Sequence, residues 1–264
     1  MNRDALALQT PEGRLLKSLV MDLQPAFGFN LHDQGRRYSA GNTPHLATIS
    51  FLATAYNEAQ DINPVRHRAM QLIVQLNRLL QAYIPDAVGK WPADFEPRAF
   101  GDNIQKWGTS LVLIESGGYK NDPEKQYIRQ LNFIAILKAL ASIATGEYQK
   151  EDIQPYDSIP VNSKVIYDLI IRNLRIAPDC TVDLAINRDE MPVPQSDTFR
   201  ETSSIEEIGD MSVFFGTDEI DATGLHLADG QILRLGMPAN LDLYNAEGLQ
   251  YRIVNGVATC MKIY

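Results

Sequence analysis

The chain has 264 residues, with 33 acidic and 24 basic side chains and a formal net charge of −9. That acidity excludes a general nucleic-acid binder, which needs a basic surface against phosphates. No uninterrupted apolar run reaches the roughly 18 residues of a membrane span, so no membrane partner is expected. Two cysteines, Cys180 and Cys260, are too few for a disulfide scaffold and lack metal-site spacing. The start, Asn2-Arg3-Asp4, does not read as a signal peptide, and the two unpaired cysteines predict a reducing, cytoplasmic setting.

The first helix is expected from Pro11, with Thr10 as its cap and Leu15, Leu16, Leu19, Val20 and Leu23 at a 3.6-residue period, ending before Pro25. Phe27 to Leu31 reads as a strand that runs into His32-Asp33-Gln34, and Ala47 to Ala53 as another. A long helix follows from Pro64 to Tyr83. Ser110 to Ile114 is a third strand, ending in Glu115-Ser116-Gly117-Gly118, and a helix opened by Asp122-Pro123-Glu124 runs to Thr145. Strands alternating with helices of this length predict an α/β domain, a mainly parallel sheet with flanking helices.

Beyond this the grammar changes. Residues 1–150 carry sixteen basic and fourteen acidic side chains, whereas residues 151–264 carry eight and nineteen, a net of −11. The step predicts a boundary near Gly146 to Asp152, between a domain over 1–150 and a β-rich accessory domain over 151–264. Short apolar runs there (Val165 to Ile171, Thr181 to Ile186, Met211 to Phe215, Gln231 to Leu235, Asn240 to Tyr244, Tyr251 to Val254, Ala258 to Ile263) alternate with turn residues, which predicts a small all-β, sandwich-like domain, an antiparallel sandwich or barrel.

Ligands of open parallel sheets bind beyond the carboxyl ends of the strands. Two expected strands deliver reactive groups there, His32 and Glu115. An imidazole is a common zinc ligand, and a carboxylate beside an activated water is a general base. Burying Glu115 at the end of an apolar strand is costly unless the charge is used, and Gly117-Gly118 permits close backbone approach. The other histidines fit less well. His45 follows Pro44 in a loop, His67 sits between Arg66 and Arg68 on what reads as a solvated helix face, and His226-Leu-Ala-Asp229 reads as a turn.

Asn2-Arg3, then Asn30-Leu31-His32-Asp33-Gln34, then Leu113-Ile114-Glu115-Ser116-Gly117-Gly118 resembles, in order, the zinc carboxypeptidases of the carboxypeptidase A type. The resemblance covers about residues 1–146 and implies a partial carboxypeptidase-like fold and a hydrolase acting on C-terminal peptide bonds with one zinc ion. It implies that Arg3, assisted by Asn2, holds the C-terminal carboxylate of a peptide substrate, that His32 is a metal ligand, and that Glu115 is the catalytic base. A guanidinium fork suits a carboxylate.

The pattern also departs from the family's. The His-x-x-Glu motif that supplies its first two zinc ligands is absent, and Met1 lies one residue before a pair that the family places inside its catalytic domain. The resemblance therefore implies a chain that begins within the domain, is inactive as written and exposes apolar surface. The alternative is a non-catalytic relative that binds peptide C-termini. No tyrosine stands about twenty residues before Glu115, so Trp91, Phe95 or Tyr119 would fill that place. Phe100-Gly101-Asp102-Asn103 is expected at the specificity pocket. There Asp102 would suit a basic side chain or serve a turn, while Arg36, Arg37 and Arg98 would suit an acidic one.

Overall fold

The computed structural model describes residues 2–261. It divides into two compact units, Met1–Lys164 and Val165–Tyr264, one mixed α/β and one of β-strands.

The first unit contains, in order, α1 (Pro11–Leu23), β1 (Phe27–Asp33), β2 (Ser39–Ala40), β3 (Ile49–Ala53), α2 (Pro64–Leu80), β4 (Val88–Lys90), α3 (Phe100–Lys106), β5 (Ser110–Ser116), α4 (Gln126–Thr145), a 3-10 turn (Glu147–Lys150), α5 (Gln154–Asp157) and β6 (Asn162–Ser163). Thr10 caps α1, its hydroxyl accepting from Gly13 N–H, as its position before proline predicts. The start of α4 lies four residues later than the sequence suggests. Pro123–Lys125 form a turn, and the Asp122 carboxylate caps the helix by accepting from the N–H groups of Gln126, Tyr127 and Ile128.

The sheet runs β1-β5-β3-β4. The β1–β5 and β3–β4 pairs are parallel, but the central β3–β5 pair is antiparallel. The expected mainly parallel sheet is thus a mixed one, because β3 enters from the long loop after β1 without a crossover helix. On one face Phe51, Val112 and Ile114 pack with Met70, Ile73 and Leu76 of α2 and Leu131 and Ala135 of α4. On the other, α3 lies close over Asn30 and Leu111, where a side chain at Gly101 would come within 3.4 Å of the Asn30 amide and 3.8 Å of Leu111.

The boundary falls after Lys164 rather than after residue 150. Tyr148, Tyr156 and Ile159 belong to the first core, the Tyr156 hydroxyl accepts from Ala53 N–H, and β6 pairs with β2. Charge composition marks a change of surface, whereas packing continues past it. Two helices keep apolar side chains in solvent. Leu15, Leu19 and Leu23 of α1 are exposed, as are Phe133, Leu137 and Leu140 of α4. By length and composition α4 is apolar enough to cross a membrane, although Arg129 and Lys138 interrupt the run. Its Ile128, Leu131, Ala135 and Ala139 are nonetheless core residues.

The second unit contains β7 (Ile166–Ala177), β8 (Cys180–Pro192), β9 (Phe199–Gly209), β10 (Phe215–Asp221), β11 (His226–Leu227), β12 (Leu241–Asn245), β13 (Gly248–Val254) and β14 (Val257–Cys260). They form one sheet in the order β14-β13-β12-β11-β7-β8-β9, with β10 also on β7. The sheet curls so that its far ends meet: Gly236 N–H donates to the Ile205 carbonyl at 2.8 Å, Ala239 N–H to Ser203 Oγ at 3.0 Å and Asn255 Nδ2 to the Glu201 carbonyl at 2.9 Å. Leu174, Leu184, Ile205 and Leu243 fill its interior. Of the two expected forms, sandwich and barrel, the rolled single sheet is the barrel-like one. Gln231 to Leu235 is a loop, and β9, whose polar run Glu201-Thr-Ser-Ser204 hid it, is a full strand. The last expected strand, Ala258 to Ile263, is described to residue 261, and its final two residues lie outside the described residues.

Candidate functional site

The apolar runs of β1 and β5 place them side by side, and their carboxyl ends carry the two candidate groups. His32 and Glu115 are Cα partners in the parallel register, so their side chains leave the same face of the sheet, about 5 Å apart at the backbone. On the other side of Glu115 its partner is Ser50 of β3. Glu115 is 7% exposed. Burial, with the Asp33 charge as a lesser cause, pushes its carboxyl up to about 7 from an ordinary 4.5. Among the described residues it accepts no hydrogen bond. His32 is half-buried.

The surroundings of this pair are held by a polar network that sequence reading did not identify. Gln34 Nε2 donates to the Ala47 carbonyl at 2.7 Å and to Ser50 Oγ at 3.1 Å. Asn162 Nδ2 donates to Gln34 Oε1 at 2.8 Å, and the Ser50 hydroxyl donates to Asn162 Oδ1 at 3.1 Å. Gln34 belongs to the segment that follows His32, but nothing in the chain marks Asn162, which arrives from far along the sequence. Gly117 is required by close approach, as expected: a Cβ there would overlap the Ala47 carbonyl oxygen and sit 2.7 Å from Gln34 Nε2.

Asn2 and Arg3 are anchored to the loop before α3. Asn2 Oδ1 accepts from Phe100 N–H at 3.0 Å, capping α3, and Ala5 N–H donates to the Arg98 carbonyl at 3.0 Å. Arg3 is 59% exposed, with Nε 3.4 Å from Glu96, a carboxylate also gripped by Arg98 at 2.8 Å. The Arg98 hydrogen bonds hold Glu96 down near 2. This cluster and the His32–Glu115 pair are linked through α3, which lies over Asn30 on the face that His32 shares. Arg3 makes no contact with His32 or Glu115 among the described residues.

Asp102 is buried and accepts from Glu96 N–H at 2.8 Å. Burial raises its carboxyl to about 6 despite that bond, and the Glu96 charge adds to the rise while Arg3 and Arg66 oppose it. Trp91 packs edge-on to Tyr38 with centroids 5.1 Å apart, and Tyr119 packs against Tyr127 at 4.7 Å.

The remaining histidines stay apart. His45 is exposed in its loop. The segment around His67 is not a solvated face, because Arg66 is 5% exposed and donates to the Ala53 carbonyl at 3.1 Å, while Arg68 donates to Ser110 Oγ. His226 lies in β11, not in a turn, with its ring 6.4 Å from that of Tyr244. Both cysteines are free and exposed. Among the described residues no three His, Cys, Asp or Glu side chains are grouped to hold a metal.

This arrangement can hold and release a proton at Glu115 beside an imidazole, and it offers a guanidinium to an anion at Arg3. Comparison with protein-family models, with curated proteins and with solved structures finds no match for this chain.

Proposed function

We propose that the first unit carries a site for the C-terminal end of peptides of the zinc-carboxypeptidase kind, with Glu115 as the base and Arg3, helped by Asn2, as the anchor for the terminal carboxylate. The observation that carries this reading is the placement of Glu115, a buried carboxyl group without a protein hydrogen bond, at a strand end beside His32. Such a group lacks a structural partner that would explain its burial. It is suited to accept a proton from an attacking water and to return it to a leaving amine. The exposed guanidinium of Arg3 can exchange Glu96 for a peptide carboxylate through two parallel N–H bonds.

When bound, zinc would polarise the scissile carbonyl and acidify its water. His32 would be one ligand. A catalytic zinc takes three protein ligands and keeps an open position, and the described residues offer one imidazole at this place. They do not by themselves fit that centre, so no step is routed through the metal. The same observation favours a second reading, capture of a peptide C-terminus without hydrolysis.

Titration with an N-acetylated tripeptide and its C-terminal amide, with and without zinc, separates the readings. Binding of the free acid that weakens at least tenfold on amidation and in Arg3→Ala supports the shared carboxylate anchor. Zinc-dependent cleavage that Glu115→Gln abolishes supports the hydrolase, and binding without cleavage supports capture alone. Equal binding of acid and amide overturns both.

A further inference from the structure

The sheet of the first unit has two unlike edges. At one, β4 is three residues long and its outer side is covered by the chain itself: Lys90 N–H donates to the Pro160 carbonyl at 2.8 Å, and Lys90 bridges to Val161. At the other, β1 is seven residues long and pairs only with β5 among the described residues. It contains no proline, lysine or arginine and no register shift, the devices by which edge strands ordinarily avoid pairing. Its one acid, Asp33, lies at the end and is bridged to Lys125.

Apolar side chains accompany this open edge on both faces. Leu31 of β1 is 60% exposed. On the α2–α4 face, Phe133, Leu137 and Leu140 recur at helical spacing along α4, opposite its core residues Leu131, Ala135 and Ala139. On the α3 face, α1 leads into β1 through three residues, Gln24 to Ala26. Gly13 and Lys17 turn α1 towards Phe100 and Trp107 of α3, which leaves Leu15, Leu19 and Leu23 pointing away from α3. Exposed apolar side chains thus belong to the open strand edge and to a helix on each face of the sheet, a set that a partner with the same layers can match.

We propose that the chain associates with a second copy of itself through β1, the two strands running antiparallel about a two-fold axis to join both sheets into one of eight strands. A two-fold axis perpendicular to the sheet sets like faces side by side, so α4 meets α4 and α1 meets α1, apolar against apolar. The β1 sequence suits this pairing. With the axis at Phe29, Leu31 of each copy stands opposite Phe27 of the other and the two Phe29 rings are neighbours. Asp33 then falls beyond the paired stretch, so no like charges oppose. The seven exposed side chains amount to on the order of 600 Å² per copy before the β1 backbone is counted, against about 800 Å² per partner in a standard interface. This association is independent of any reading of Glu115 or Arg3.

Sedimentation velocity of the whole chain from about 1 to 100 μM tests it. The expected result is a reversible dimer, with slowed amide exchange in β1 as concentration rises. Leu31→Lys and Phe133→Glu, both at exposed positions and checked for unchanged circular dichroism, are each expected to raise the dissociation constant at least tenfold. Val213→Lys, at an equally exposed apolar site in the second unit, should leave it unchanged. A monomer throughout the range overturns the proposal. So does a dimer indifferent to both β1-side variants, or a monomer that floats with phospholipid vesicles, which would assign the apolar face of α4 to a membrane surface.

Discussion

His32 and Glu115 are register partners across the parallel β1–β5 pair, while the neighbour of Glu115 on β3, Ser50, has its hydroxyl engaged by Gln34 and Asn162. An imidazole and an uncompensated carboxyl group therefore share one end of the sheet, and the hydroxyl of the register partner Ser50 is committed elsewhere. Burial therefore dominates the behaviour of Glu115, since no protein hydrogen bond among the described residues offsets it.

Two buried acids make stability depend on pH in a defined direction. Asp102, raised from 3.8 to about 6, and Glu115, raised from 4.5 to about 7, keep their protons in the folded chain after the unfolded chain has lost them. Between those limits the unfolded state binds fewer protons, so stability falls as pH rises and levels off above about 7. In urea titrations with chelator present, Asp102→Asn should remove the decline between about pH 4 and 6, and Glu115→Gln that between about 4.5 and 7. Each is worth on the order of 2–3 kcal/mol by pH 8. Parallel curves for wild type and variant would refute the assignment.

The Gln34–Ser50–Asn162 network depends on a glycine. A Cβ at Gly89 of β4 would overlap Asn162 Oδ1 and lie 3.0 Å from Ser50 Oγ. Gly89→Ala should cost about 2–3 kcal/mol by displacing Asn162 from its partners, and Asn162→Ala about 1–3 kcal/mol by leaving Gln34 and Ser50 unsatisfied. The double variant should cost clearly less than the sum, because Asn162→Ala removes the atom that Gly89→Ala strikes. Additive losses would mean that the two residues do not share this constraint.

The strands that bring His32 and Glu115 together were legible, since apolar runs between turn residues fix β1, β3 and β5 to within two residues of their ends. The face shared by the two residues follows from strand alternation, but their adjacency required the order β1-β5-β3, in which β3 runs antiparallel to β5 although it is parallel to β4. Periodicity carries no information about strand order or direction. The capping by Asn2 and the closure by Asn162 span 98 and 128 residues and leave no local pattern. In α1 the leucine period correctly marks a helix, yet only Gly13 and Val20 are buried, because amphipathicity shows that an apolar face exists and not what covers it.

Arg66 joins α2 to the end of β3. Its Nε donates to the Ala53 carbonyl at 3.1 Å and its Nη1 to the carbonyls of Gln60 and Asp61, inside a 5% exposed site. Arg66→Met preserves the apolar stem but leaves buried carbonyls without donors, and should cost about 3 kcal/mol. Arg66→Lys should recover part of this, as one ammonium can reach some of the three acceptors. A loss below 1 kcal/mol in Arg66→Met, measured by urea unfolding, would show that water replaces the guanidinium.

In the second unit, Arg172 ties together three pieces of chain that the strand ladder alone leaves separate. Its Nη1 donates to the Met211 carbonyl at 2.6 Å and its Nη2 to the Phe214 carbonyl at 2.7 Å, which fixes the turn entering β10. The same side chain bonds Glu219 through Nε at 3.2 Å and Nη2 at 2.9 Å and lies 3.4 Å from Asp183. Its bond to Glu219 raises the Arg172 pKa and, against burial, holds the Glu219 carboxyl below its usual range. Arg172→Met should destabilise this unit by about 3–5 kcal/mol, because it strands two carbonyls and leaves two carboxylates facing each other. Adding Glu219→Gln should return about 1 kcal/mol by relieving the repulsion but none of the carbonyl loss. Full recovery in the double variant would assign the effect to charge alone and remove the role of Arg172 in shaping the turn before β10.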